Sequence, residues 1–131
     1  LGTRELKNWT VRALPLKADS IVQAPKGKGP SRKREGAHFR AVVNIEEPQD
    51  TFLDMSRYAK GYVWVNGVNV GRYWNVGPQL RLYVPAPFLK KGENVIDVLD
   101  LHEKEPKPIR GMKERNKEPG KIDTKNLDNQ W

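Results

Sequence analysis

The dipeptide Asn66-Gly67 constrains this chain more than any other feature. It separates two runs rich in β-branched and aromatic residues, Gly61–Asn66 and Val68–Tyr73. Asn-Gly accepts the positive φ angles of a type I′ turn, whose twist matches that of the strands it joins. The two runs are therefore predicted to form a tight antiparallel hairpin. Tyr62, Val63, Trp64 and Val65 make the first run apolar on both faces, which predicts a strand buried on both sides. Gly71 inside the second run predicts a bulge or a close backbone approach.

Short strands with turn signals surround this hairpin. Trp9 to Leu16 alternates Trp9, Val11 and Ala13 with Thr10 and Arg12, and Pro15 marks an edge or an end. His38 to Ile45 and Thr51 to Met55 read as strands on either side of the turn Glu46–Asp50. Leu80 to Val84 follows, ended by Pro85 and Pro87; Phe88-Leu89 makes one helical turn. Lys90–Asn94 turns the chain back into a last strand, Val95 to Leu101. No useful helical period and no internal repeat is present. Strands at this spacing predict an all-β sandwich or barrel.

With 131 residues the chain suits one domain with one core. It lacks cysteine, so stability rests on packing, without disulfides or thiolate metal sites. No apolar run approaches the roughly 20 residues that span a bilayer, and no membrane partner is expected. The chain opens at Leu1-Gly2 without an initiator Met or signal peptide, and reads as a piece of something longer. The expected organisation is a sandwich over residues 1–101, a flexible basic loop over 24–36 and a charged C-terminal extension over 102–131.

The formal charge is +8, from 24 basic and 16 acidic residues. Lys26, Lys28, Arg32, Lys33 and Arg34 concentrate it in one Gly/Pro-rich stretch. That stretch holds no aromatic residue to stack on a base, and its glycines open no helix for phosphate binding. It reads as a solvated, mobile and dispensable loop, and no nucleic-acid partner is expected. Glycoside hydrolysis needs two carboxylates about 5 Å or about 6.5–9.5 Å apart. Glu46, Glu47, Asp50, Asp54 and Asp97 are available, but adjacent Glu46 and Glu47 point different ways in a turn. His38 and His102 alone cannot build a three-ligand zinc site. Neither Ser20 nor Ser56 lies in a nucleophile-elbow motif. No catalytic residue, metal or cofactor is expected in this chain.

From Thr51 onward an ordered series of motifs resembles the β-galactosidases of glycoside hydrolase family 35. The segments are Thr51–Ser56 (TFLDMS), Lys60–Gly67 (KGYVWVNG), Asn69–Gln79 (NVGRYWNVGPQ), Leu82–Pro85 (LYVP) and Phe88–Ile96 (FLKKGENVI). Phe39-Arg40 and Val43-Asn44-Ile45 are similar to the preceding strand of that family, and Asn8-Trp9 through Pro15-Leu16 to its opening strand. Asp97 departs from the pattern, standing where the strand usually carries an apolar residue. The resemblance implies a jelly-roll β-sandwich of about eight strands, galactose-binding-domain-like. The catalytic glutamates of the family lie in an N-terminal TIM barrel, which nothing here matches. The implied role is a non-catalytic accessory domain supporting that barrel in a parent enzyme that is secreted, periplasmic or lysosomal. The alternative is an autonomous carbohydrate-binding module for galactose-containing glycans, with galactosides as partners. A nucleic-acid binder is a third reading, carried by charge alone.

Trp64, Tyr73, Trp74 and Tyr83 could offer a sugar platform, with Asn69, Arg72, Asn75 and Gln79 as polar neighbours. Trp64, between Val63 and Val65, reads as core. Tyr73 and Trp74, just past the expected bulge, read as inter-domain packing surface in preference to a sugar site. The candidate set is Asn69, Arg72, Tyr73, Trp74, Asn75 and Gln79.

Overall fold

The computed structural model describes residues 7, 8, 10–13, 16–22 and 36–115. Seven strands are present among them: β1 (Ala37–Ile45), β2 (Thr51–Asp54), β3 (Lys60–Val65), β4 (Val68–Trp74), β5 (Arg81–Val84), β6 (Gly92–Asp100) and β7 (Arg110–Met112). They form two antiparallel sheets, ordered β1-β6-β3-β4 and β5-β2-β7. This is the expected all-β sandwich.

The turn chemistry appears as the sequence predicts. Asn66 and Gly67 take φ of 49° and 84°, the paired positive values of a type I′ turn. The β3–β4 register passes from Val63 opposite Gly71 to Trp64 opposite Asn69, so Val70 is the extra residue of a bulge. β3 lies between β6 and β4, so both of its edges are paired. Val63 and Val65 enter the core between the sheets, and Trp64 is buried on the opposite face.

The core joins Leu53, Met55, Tyr58, Val63, Val65, Tyr73, Leu82, Val84 and Val98. Each large apolar side chain removed from water contributes about 2 kcal/mol. Gly61 permits the close packing of β3 on β6: a Cβ there would lie 1.8 Å from the Leu99 carbonyl oxygen.

Three expectations change. Thr10–Ala13 and Leu16 are exposed and not in a strand, with Val11 86% exposed. Alternation creates a face, but a strand also needs a neighbour to satisfy its backbone groups. A short helix, α1 (Ala18–Val22), follows; its Ala18 is buried, and Asp19 lies near enough to act on the Arg40 guanidinium. The boundary after residue 101 does not hold either, because β7 pairs with β2 beyond it. The connection to β7 is fastened by polar groups. Asp100 Oδ1 accepts from the His102 and Glu103 amides, and the Tyr58 hydroxyl both donates to the Lys107 carbonyl and accepts from its amide. The third change concerns Tyr73 and belongs to the site below. The basic stretch Lys26–Arg34 lies outside the described residues.

Candidate functional site

Period-two alternation along β3 sets Lys60, Tyr62 and Trp64 on the face opposite the core. Across the hairpin, Lys60 opposes Trp74 and Tyr62 opposes Arg72. The Lys60 ammonium sits 4.6 Å from the centroid of the Trp74 ring, and the Arg72 guanidinium carbon 5.1 Å from it. Two cations thus share one indole, each attracted by its π electrons. Trp74 is half-buried and Arg72 exposed. Tyr62 packs against Trp64 with ring centroids 6.2 Å apart.

The bulge divides the expected set. Tyr73 opposes Gly61 and points into the core, 1% exposed. Its hydroxyl donates to Asp100 Oδ2 at 2.8 Å, and burial followed by the Asp100 carboxylate pushes its ionisation far above the ordinary tyrosine range. Tyr73 therefore offers nothing to a sugar or a neighbouring domain, contrary to the expectation. One position along a strand reverses the face, so Tyr73 and Trp74 cannot share a surface. Asn69 is exposed, but its Oδ1 accepts the Gly71 amide at 2.9 Å and so holds the bulge. Asn75 and Gln79 are exposed in the turn after β4. Their backbones tie it down: the Asn75 amide donates to the Ala59 carbonyl at 2.7 Å, and the Trp74 amide to the Gln79 carbonyl at 3.3 Å. Trp64 is buried as expected, but on the face opposite the core between the sheets, and its indole N–H finds no acceptor among the described residues. Tyr83 belongs to the other sheet, where its hydroxyl donates to Asp50 Oδ2 at 2.7 Å. The four aromatics do not form one platform.

Asp50, Asp97 and Asp100 are committed to structure. Asp97, 2% exposed, accepts from Arg40 Nε at 2.8 Å and Nη2 at 2.9 Å, and meets His38 Nε2 at 2.7 Å. Burial alone would raise its pKa; the Arg40 and His38 hydrogen bonds outweigh that and hold it below the usual carboxylate range. Asp97 thus faces away from the core, neutralised where an apolar residue was expected. Asp100 also accepts from the Ala59 amide, and Asp50 from the Ala86 amide. Among the described residues no cluster of three or more His, Asp or Glu could hold a metal.

Sequence reasoning missed Lys60, Tyr62 and the His38–Arg40–Asp97 group. The first two were legible: counting by two from Trp64 reaches both. The group around Asp97 was not, because it needs the β1–β6 register.

Residues 37–94 match the family described as β-galactosidase, galactose-binding domain. The β-galactosidase of Xanthomonas manihotis is 39% identical over 87 residues, covering 64% of this chain and 14% of that protein. β-galactosidase-1-like protein 2 of Homo sapiens is 36% identical over 104 residues, 76% of this chain and 16% of its own length. β-galactosidase 17 of Arabidopsis thaliana is 47% identical over 73 residues, 53% of this chain and 10% of its own. The chain spans only a small part of each relative.

Proposed function

We propose, from the premise that residues 37–94 belong to the β-galactosidase galactose-binding domain family, that this chain is a non-catalytic accessory domain which supports the catalytic barrel of a β-galactosidase. Its docking surface is the outer face of β3 and β4. The observation that carries this reading is the Lys60–Trp74–Arg72 cluster. Sugar binding by stacking needs an open aromatic face, and the Trp74 ring already carries two cations. A guanidinium held against an indole is instead preorganised to meet a carboxylate or carbonyl on a neighbouring domain, losing little rotamer freedom on contact. The engagement of Asp50, Asp97 and Asp100 in structural hydrogen bonds supports the non-catalytic part of the reading.

The test is a titration of the chain with galactose and lactose, followed by tryptophan fluorescence, beside an assay with an aryl β-galactoside. No fluorescence change and no turnover are expected. A saturable change abolished by Trp74→Ala would establish an autonomous carbohydrate-binding module in its place. Turnover by highly purified chain would overturn the non-catalytic assignment.

A further inference from the structure

Among the described residues the sandwich is closed along one side and open along the other. On the β4–β5 side the layers meet: a Cβ on Gly71 would lie 3.4 Å from Leu82 Cδ2. On the opposite side β1 and β7 leave an apolar cleft of about 560 Å³ between the sheets. Phe39, Val43, Ile45, Leu53, Ile109 and Met112 are among its walls. Among the described residues β1 is the outermost strand of its sheet. Val42 and Val43 are 59% and 38% exposed on it.

Natural edge strands are guarded against pairing by lysine, proline, a bulge or an inward charge. β1, with the sequence AHFRAVVNI, carries no lysine or proline. Its pairing with β6 runs through nine residues without a register break. Its one cationic guard would be Arg40, but that guanidinium is held by the buried Asp97. Among the described residues the edge is long, largely apolar and unguarded.

We propose that β1 pairs with β1 of a second copy of this chain, antiparallel about a two-fold axis at Val42. The outcome is one continuous sheet with four strands from each copy. The strand's own composition selects this register. Phe39 then faces Ile45, and Ala41 faces Val43, on the side that lines the cleft. On the other side Val42 meets Val42, Arg40 meets Asn44, and His38 meets Glu46. No like charges oppose in this register. Moving the axis to Val43 would set Glu47 against Phe39 at the cleft. Moving it to Ala41 would leave Glu46 without a histidine opposite. A two-fold pairing is self-complementary, as an isologous interface requires, and the second copy's cleft-side residues extend the cover over the cleft.

Sedimentation equilibrium of the 131-residue chain over rising concentration tests this. A monomer–dimer equilibrium is expected. Val42→Lys should give monomer at every concentration while keeping the melting temperature that the parent has when dilute enough to be monomeric, because Val42 is exposed and like charges would meet at the axis. Mixing Val42→Lys with Val42→Glu should restore the dimer, since an ammonium then faces a carboxylate across the axis. The proposal is overturned by a wild-type chain that stays monomeric throughout, which is the result if only a strand from another protein fits this edge. It is equally overturned by a Val42→Lys chain that still dimerises, or by a mixture that associates no better than Val42→Lys alone.

Discussion

The Tyr73 hydroxyl donates to Asp100 Oδ2 at 2.8 Å, and both side chains are buried. The bond spans the sheet: Tyr73 is on β4, Asp100 on β6, and Gly61 of β3 lies between them, paired with both. Gly61 has no side chain to interrupt it; a Cβ would lie 2.7 Å from the Tyr73 oxygen. Asp100 in turn holds Ala59 ahead of β3 and the His102–Glu103 turn that leads toward β7.

Tyr73→Phe removes the donor and leaves a buried carboxylate oxygen with one partner fewer. The expected loss is about 1–3 kcal/mol, the cost of an unmet buried polar group. Urea unfolding measures it, and an unchanged midpoint would show that Asp100 does not depend on Tyr73.

Gly61→Ala should be worse than Gly67→Ala. At Gly61 the new methyl meets the Leu99 carbonyl and the Tyr73 hydroxyl, so β3 and β6 must separate. At Gly67 no atom lies within 4 Å, and the cost is only that of a positive φ. Gly67→Val adds β-branching to that backbone and should cost at least about 1 kcal/mol. Thermal melts of the three variants rank them; a Gly67→Val chain as stable as the parent would contradict the turn geometry.

Asp97 makes stability depend on acid. Its folded pKa lies below the unfolded value of about 3.9, so the unfolded chain takes up the proton first as pH falls. Its stabilising contribution is complete above the unfolded pKa and is lost as pH drops through the folded one. Asp97→Asn should lower stability at neutral pH and flatten the acid limb of the stability–pH curve. Parallel acid limbs in the two proteins would show that Asp97 is not part of the acid response.

Arg72→Ala should leave the isolated chain within about 0.5 kcal/mol of the parent, because Arg72 is exposed and, among the described residues, its guanidinium is held by the contact with Trp74. In a longer protein that includes the catalytic barrel, the same change should weaken the hold of this domain and raise its susceptibility to limited proteolysis. Equal proteolysis of both proteins would argue against the docking face.

The hairpin, the bulge, the two-sided burial of β3 and the sandwich class were legible in the sequence because each rests on local chemistry. Asn66-Gly67 has a backbone preference of its own, Gly71 has no Cβ to resist distortion, and alternation assigns faces within a strand. Tertiary structure decided what local chemistry leaves open. Thr10–Ala13 has a strand's pattern without a strand's place, since pairing is a property of two segments. Arg110–Met112 has almost no pattern, yet pairs with β2 because Tyr58 and Asp100 fasten the chain that leads to it. Tyr73 and Trp74 are neighbours in sequence, and the bulge, with the register it imposes, sends one to the core and the other to the surface. Asp97 is an anomaly in a strand until β1 brings Arg40 and His38 beside it. Residue type sets what a side chain can do, and only the strand across from it determines which of those possibilities is realised.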